Sequence, residues 1–452
     1  MLFSRLWLAL AAVPALATAL PPRKIVLPRQ VAVDNSSSVS SSIEPSAATP
    51  IATGTAATST STATAAASPS PSSNSSSAVL VNTGILNALP FPFDRIGANN
   101  ATVGNVSLPA SPTYTYSGQD VAAVQEQLSA MQNATVVAYQ EDFLTLAGNA
   151  TVEAVFTGEN YHEAPVYLPK TNQIFLTPDV GSTQVLIDLN TTTLANFTAS
   201  PPVENINGGT YVNGSLIVTT NGGNETNPAV FRINLETNES SVVTDNYYGL
   251  RYNSLNDIVA DAEGNFWFND PNFGWLNGFN PNPPQLETAT YFYNATSGLV
   301  RAVVDQIGQP NGLVFSPDGK TLYVTDTSAS SAEGSYPQLG SRDIYAFEVA
   351  NGFATNRRLF FRNPSGIPDG IKVDTAGNVW SVFGDADTGA IEAISPDGQL
   401  LGLIQLPEGG KVSNLVFVPP QEGETGDSIW AVGSDTIWKI SGLNVTGVRI
   451  GW

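Results

Sequence analysis

The sequence predicts an all-β fold, a six-bladed β-propeller with an N-terminal extension and a disordered Ser/Thr-rich segment. Three observations carry this. First, residues 136–440 are a series of short runs alternating apolar with polar side chains, separated by Gly, Asn, Asp and Pro turns, with no competing helical period. Second, residues 309–327, QPNGLVFSPDGKTLYVTDT, read as a β-hairpin with a polar residue, Asn311, at its mouth. Weaker copies stand at residues 254–271 and 367–385. Third, the polar residues heading the strands are Glu163, Asn207, Asn256, Asn311, Asp369 and Asn414, and subtraction gives gaps of 44, 49, 55, 58 and 45 residues. That spacing fits four-stranded blades with loops of variable length, and six anchors imply six blades. Residues 143–156, FLTLAGNATVEAVF, precede the first anchor and would supply the strand that completes the last blade and closes the ring.

In chain order, residues 1–19 read as a cleaved signal peptide, with Arg5, an apolar stretch and the small-residue ending Ala17-Thr18-Ala19. No later run is long and apolar enough to span a bilayer, and the C-terminus lacks the hydrophobic tail of a lipid-anchor signal, so the expectation is a soluble, exported protein with no membrane partner. Residues 20–78 are rich in Ser, Thr, Pro and Ala; such a segment cannot bury enough surface to fold and resembles an O-glycosylated stalk or spacer. Residues 79–135 form an N-terminal extension whose first part shows no clear period. Within it Asp120 can cap a short helix whose Val121, Val124, Leu128 and Met131 make one apolar stripe, packed on the outside of the main domain. Residues 136–452 are the propeller, read as the catalytic domain.

The composition narrows the chemistry. With no cysteine, disulfides, a thiolate nucleophile and a Cys-ligated metal are excluded. A formal net charge of -21 repels phosphate backbones and anionic lipid, so nucleic acid is not an expected partner. About a dozen Asn-x-Ser/Thr triplets, among them Asn100, Asn105, Asn133, Asn190, Asn213, Asn294 and Asn444, are a second mark of export and predict a glycoprotein.

Inner strands of a propeller converge on a central channel, so Glu163, Asn256, Asn311 and Asp369 can meet although far apart in sequence. Two carboxylates and two amide oxygens are hard donors whose charge balances one divalent cation, which suits Ca2+ first, with Mg2+, Mn2+ or Zn2+ as alternatives. The competing reading is that each Asn or Asp forms a strand-entry turn with its own backbone. Asn207 and Asn414, whose flanking sequences differ, are assigned to that second reading, as are Asp270 and Asp326 at the ends of hairpins. The lone histidine, His162, excludes a histidine dyad. It is read as a hydrogen-bonded strand residue, with proton transfer beside Glu163 as the alternative. Trp267, Phe268, Trp380 and Trp430 alternate with polar residues along strands and are assigned to core packing between blades, whereas Trp275, in a loop, is a candidate at the channel rim.

Four blocks of the chain resemble signature blocks of the gluconolactonase/regucalcin family, in the same order. They are Glu163-Ala164-Pro165-Val166-Tyr167, Asn253-Ser254-Leu255-Asn256-Asp257, Pro310-Asn311-Gly312-Leu313 with Ser316-Pro317-Asp318-Gly319, and Pro368-Asp369-Gly370. The resemblance covers roughly residues 140–440. It implies a six-bladed propeller with one divalent metal in the channel, bound by Glu163, Asn256, Asn311 and Asp369, and hydrolysis of a small-molecule lactone, often a sugar lactone. Two positions depart from the family pattern: Ala164 replaces Gly and Leu255 replaces Pro. For the substrate-contacting arginine, Arg251 fits the R-x-N-S-x-N-D form, whereas the regucalcin form would put Ser254 there. On this reading a metal-activated water opens the ring. Asp257 serves as a substrate-contacting or catalytic carboxylate, or else caps its turn, and Asp369 is a second proton acceptor. A monomer is expected. The alternative is a non-catalytic propeller with a structural channel metal, whose rim binds a glycan or protein.

Overall fold

The structure, a computed structural model, describes residues 77–82, 84, 121–158, 160–178, 180–331, 340–363, 366–385, 388–407 and 410–449. Residues 1–19, expected to be a signal peptide, nearly all of the Ser/Thr-rich segment, Asp120 and the side chains of Val121, Val124 and Leu128 lie outside the described residues.

Six sheets, antiparallel but for one added strand, make the blades of the propeller. Their innermost strands are, in chain order, Glu163–Leu168, Ile206–Val212, Ile258–Ala260, Pro310–Phe315, Pro368–Val373 and Asn414–Val418, and these head blades one to six. Blades one to four take their strands consecutively from the chain. Blade six takes three and is completed by Thr151–Thr157, which pairs antiparallel with Thr436–Ser441, Thr151 opposite Ser441. The ring is thus closed by an earlier strand, which takes the outermost place in blade six.

The expected closing segment is only half strand. Glu141–Ala147 is a helix that buries Phe143 and Ala147, four residues apart, on one face, with Glu141 and Asp142 in its first turn where the helix dipole favours acids. Phe143 is fully buried, its ring centroid 6.1 Å from that of Trp380. Two further short helices, Phe273–Leu276 and Ser328–Ser331, interrupt the region expected to contain strands alone.

Blade five has six strands. Val136–Ala138 adds antiparallel to Leu400–Gln405, and Ala78–Leu80 adds parallel to Val136–Ala138. Gln405 Nε2 donates to the carbonyls of Met131 (2.7 Å) and Ala134 (2.6 Å), at the end of helix Val121–Gln132. Met131, Ala134 and Val137 are buried with Phe383, Ala390 and Leu403. The extension therefore covers the blade-five edge, burying apolar side chains where a bare strand would expose unpaired backbone groups.

The core is divided between neighbouring blades. Trp267, Phe292, Phe315 and Phe347 fill the space between blades three and four. Trp380, Phe417 and Trp438 fill that between five and six, and Tyr167, Ile187, Trp430 and Ile437 that between six and one. Trp267 and Trp380 are fully buried, with each indole N–H held by the carboxylate of a turn, Asp261 (3.1 Å) and Asp374 (3.0 Å). The aromatics are packing residues, as their alternation indicates.

Candidate active site in the channel

Each inner strand starts at the same end of the channel, and four of them begin with a break in register. The ladder shifts between Glu163 and Val166, Ile206 and Gly208, Pro310 and Leu313, and Pro368 and Ile371. A bulge of this kind re-aims side chains, and the skipped residues are Glu163's neighbours Ala164 and Pro165, then Asn207, Asn311 and Asp369. Pro165, Pro310 and Pro368 sit where a strand lacks a donor, in keeping with their missing N–H. Ala164 holds φ 52°, the left-handed region that ordinarily favours glycine, so the sequence departure places a β-carbon on a strained residue beside Glu163.

Hydrogen bonds pass from blade to blade around this end. Thr177 Oγ1 donates to the Ile206 carbonyl (2.9 Å), Thr219 Oγ1 to that of Asn256, Asn269 Nδ2 to that of Asn311 (2.6 Å), and Thr325 Oγ1 to that of Asp369 (3.0 Å). Gly370 N donates to the Ser413 carbonyl (2.8 Å), and Ser413 Oγ to that of His162, which completes the circuit. In five of the six steps a polar side chain at the end of a second strand, or just ahead of an inner one, fixes the next blade's backbone at or just ahead of its inner strand. Close approach makes this possible: a β-carbon on Gly312 would collide with the Asp369 carbonyl, and one on Gly208 with that of Asn256. Only glycine fits there.

Glu163, Asn256, Asp257 and Asn311 are all buried. Asn414 Nδ2 donates to Glu163 Oε2 (2.9 Å) and lies 3.4 Å from both Asp257 carboxylate oxygens. Asn414, assigned from sequence to a turn, thus joins the two carboxylates. Its own Oδ1 accepts from Leu415 N (2.9 Å) and Lys372 Nζ (3.5 Å). Burial pushes the Asp257 carboxyl up, opposed by the Lys372 charge and the Asn414 amide. The Asp369 carboxyl is raised too, first by burial and then by the Asp257 charge, while a hydrogen bond from the Asn311 side chain acts the other way. The electrostatic coupling of Asp369 to Asp257, and the shared contact of Asn414, tie Glu163, Asp257, Asn311 and Asp369 into one cluster.

Three oxygens at this end, Asn207 Oδ1, Asn256 Oδ1 and Asp369 Oδ1, are buried and receive no hydrogen bond from the protein. Unpaired buried acceptors are costly, and a hard cation would satisfy them. Among the described residues, no three His, Asp or Glu side chains gather closely enough to hold a metal by themselves, so amide oxygens would have to share the work. The donor set fits a divalent cation on both counts.

The remaining candidates stand around the mouth. His162 donates its backbone N–H to Thr177 O (2.9 Å), and its imidazole Nε2 lies 3.9 Å from Glu163 Oε1. Trp275, 43% exposed, sits on the helix Phe273–Leu276 in the connection between the second and third strands of blade three, on the site face. That helix is docked by Gly274 N donating to Ser254 Oγ (2.7 Å). Arg251 Nη2 donates to the Pro283 carbonyl (2.8 Å), so its guanidinium ties down a neighbouring loop. Asp270 accepts the backbone N–H groups of Asn253 and Ser254, and Asp326 those of Gly308, Gln309 and Ser328; both build turns, as expected. Toward the far end the channel narrows to a cavity of about 110 Å³ whose lining includes Tyr167, Tyr211, Lys372, Phe417 and, from the segment after the last strand, Val448 and Arg449.

The inner-strand bridges were missed by sequence reasoning. Their signal is a polar residue at the end of an otherwise apolar second strand, in QIFLT, SLIVTT, FWFND and TLYVTD.

Residues 162–424 match the family model of the SMP-30/Gluconolactonase/LRE-like region. The chain is 32% identical over 345 residues to a lactonohydrolase of Aspergillus oryzae, covering 71% of this chain and 77% of that one. It is 30% identical over 220 residues to a gluconolactonase of Zymomonas mobilis, covering 47% and 57%. A solved gluconolactonase from Xanthomonas campestris superposes with TM-score 0.57 at 26% identity, covering 68% of this chain and 94% of that chain. The channel cluster lies inside the matched region, and the chain belongs to the SMP-30/gluconolactonase/LRE-like family.

Proposed function

We propose that this chain is a hydrolase that opens a small-molecule lactone, with one divalent cation held at the site end of the channel by Glu163, Asn256, Asn311 and Asp369. The observation that carries the reading is the pair of buried, unpartnered oxygens on Asn256 and Asp369, set beside Glu163 and Asn311. Bound there, a divalent cation would polarise a lactone carbonyl and acidify water. The protein's own groups do the rest. Asp257 and Asp369 are the carboxylates available to take the proton lost by the attacking water, and both are held in place by amides, Asn414 for Asp257 and Asn311 for Asp369. Asn414 also fixes Glu163 Oε2, leaving less freedom in the donor set. Trp275 supplies an apolar wall at the rim, and Arg251 shapes the substrate entrance by anchoring the loop at Pro283. The all-oxygen donor set favours Ca2+ over Zn2+. The protein works as an exported monomer.

The test is ring opening measured by acid release against a panel of aldonolactones and aromatic lactones, with and without chelator. Turnover that chelator abolishes and added cation restores is expected. Turnover indifferent to chelator would remove the cation from the reading. Absence of turnover on every lactone, with a melting temperature that chelator lowers, would favour a non-catalytic binding propeller with a structural channel metal.

A further inference from the structure

Among the described residues, the asparagines of Asn-x-Ser/Thr triplets are set apart from the buried asparagines. Those in Asn-x-Ser/Thr triplets are Asn133, Asn149, Asn190, Asn196, Asn213, Asn224, Asn238, Asn294 and Asn444, and every one is exposed except Asn294, which is partly so. None of the buried asparagines stands in such a triplet. Asn363, fully buried, comes nearest, and there Pro364 occupies the middle position that blocks glycan transfer.

The exposed set is also segregated in space. Inner strands run from the site end to the far end, so in each antiparallel blade the first-to-second and third-to-fourth turns lie on the face away from the site. Asn213 occupies the first-to-second turn of blade two, between Val212 and Ser215. Asn190, Asn238 and Asn294 occupy the third-to-fourth turns of blades one, two and three. Asn149 and Asn444 flank the far end of blade six, where Thr151 pairs with Ser441 and Asn149 N donates to Gly442 O (3.1 Å). Asn133 and Asn196 lie on outer edges, and Asn224 alone is in a site-face connection.

We infer that Asn149, Asn190, Asn213, Asn238, Asn294 and Asn444 are N-glycan acceptors, giving the propeller a glycan-covered face opposite an open channel mouth. A glycan is tolerated only where the folded chain leaves the side chain within reach of solvent, and all nine triplet asparagines among the described residues are exposed or partly so while no buried asparagine stands in a triplet. A bulky solvated chain on these turns adds polar cover on the far face and leaves the small-molecule entrance clear. The inference rests on the export reading above.

The experiment is secretion of the full chain from a eukaryotic host, enzymatic release of N-glycans in heavy-oxygen water and peptide mapping of the resulting Asn-to-Asp conversions. The expected result is conversion at most of these six asparagines, with kcat/KM on a small lactone unchanged within about twofold after release. Recovery from the medium with these asparagines unmodified would overturn the inference and leave the export reading standing. Retention inside the cell without glycans would overturn both. A rise of about tenfold or more in kcat/KM on glycan release would overturn the placement, because it would put the glycans at the entrance.

Discussion

Glu392 gives the sharpest expectation about stability. It sits on the third strand of blade five, fully buried, with Asn363 Nδ2 donating to Oε1 (2.7 Å) and no partner on Oε2. Burial is the main influence on its carboxyl and raises it from 4.5 to about 8, against the hydrogen bonds of Asn363 and Ser381. The folded state therefore holds the proton more tightly than the unfolded chain does. Its contribution to stability is fully present below pH 4.5 and is lost as the pH rises through 8. Between those limits, at ~1.4 kcal/mol for each pH unit, the loss amounts to about 5 kcal/mol. The Glu392→Gln variant keeps an acceptor for Asn363 and cannot ionise. Urea unfolding of both proteins across that range should show a small gap in acid that widens by several kcal/mol in favour of the variant in alkali. Parallel pH profiles would refute the reasoning, since they would mean that Glu392 ionises alike in both states.

Other expectations concern the site. Gly312→Ala drives a β-carbon into the Asp369 carbonyl and should cost about 2 kcal/mol while weakening cation binding, read by urea unfolding and calorimetric titration. Thr325→Val removes the hydroxyl that donates to Asp369 O and accepts from Gly312 N (2.7 Å), at a cost of about 1 to 3 kcal/mol in thermal unfolding. Lys372→Met deletes the charge facing Asp257 and the donor to Asn414. It should lower kcat on the order of tenfold with little change in melting temperature, and Lys372→Arg should recover part of that loss; equal kcat in all three proteins would show that Lys372 is a bystander.

Much of the fold was legible because a blade is local. Each is a meander whose alternation, turn residues and strand-head spacing lie within about fifty residues of sequence, so the hairpin of Asn311 and the positions of Asp369 and Asn256 could be read directly. Two parts were hidden by physics of longer range. The segment with Phe143 and Leu144 alternates loosely enough to pass for strand, and its helical identity depends on packing against Trp380 in blade five. The strand Ala78–Leu80 has no period of its own and is fixed by a sheet edge built from residues near 400. All of Glu163, Asn256, Asn311, Asp369 and Asn414 were legible as strand heads, but the tie of Asn414 to the carboxylates was not, and that residue was assigned to a turn. Its importance lies in a contact with Glu163, 251 residues away, that no local motif marks. Ala164 was visible as a departure from the family pattern, but its positive φ, the physical reason glycine is favoured there, emerges only from the bulge.

The central claim is that inner-strand oxygens from different blades hold one catalytic cation. It is tested most directly by measuring the initial rate of lactone opening as a function of divalent cation concentration, after chelator treatment, for the native chain and for Asn311→Ala and Asp369→Ala. A saturable cation requirement in the native chain, with both variants folded and their rates near background at every cation concentration, is the expected result. Native-like rates in both variants, or a native rate independent of added cation, would contradict it.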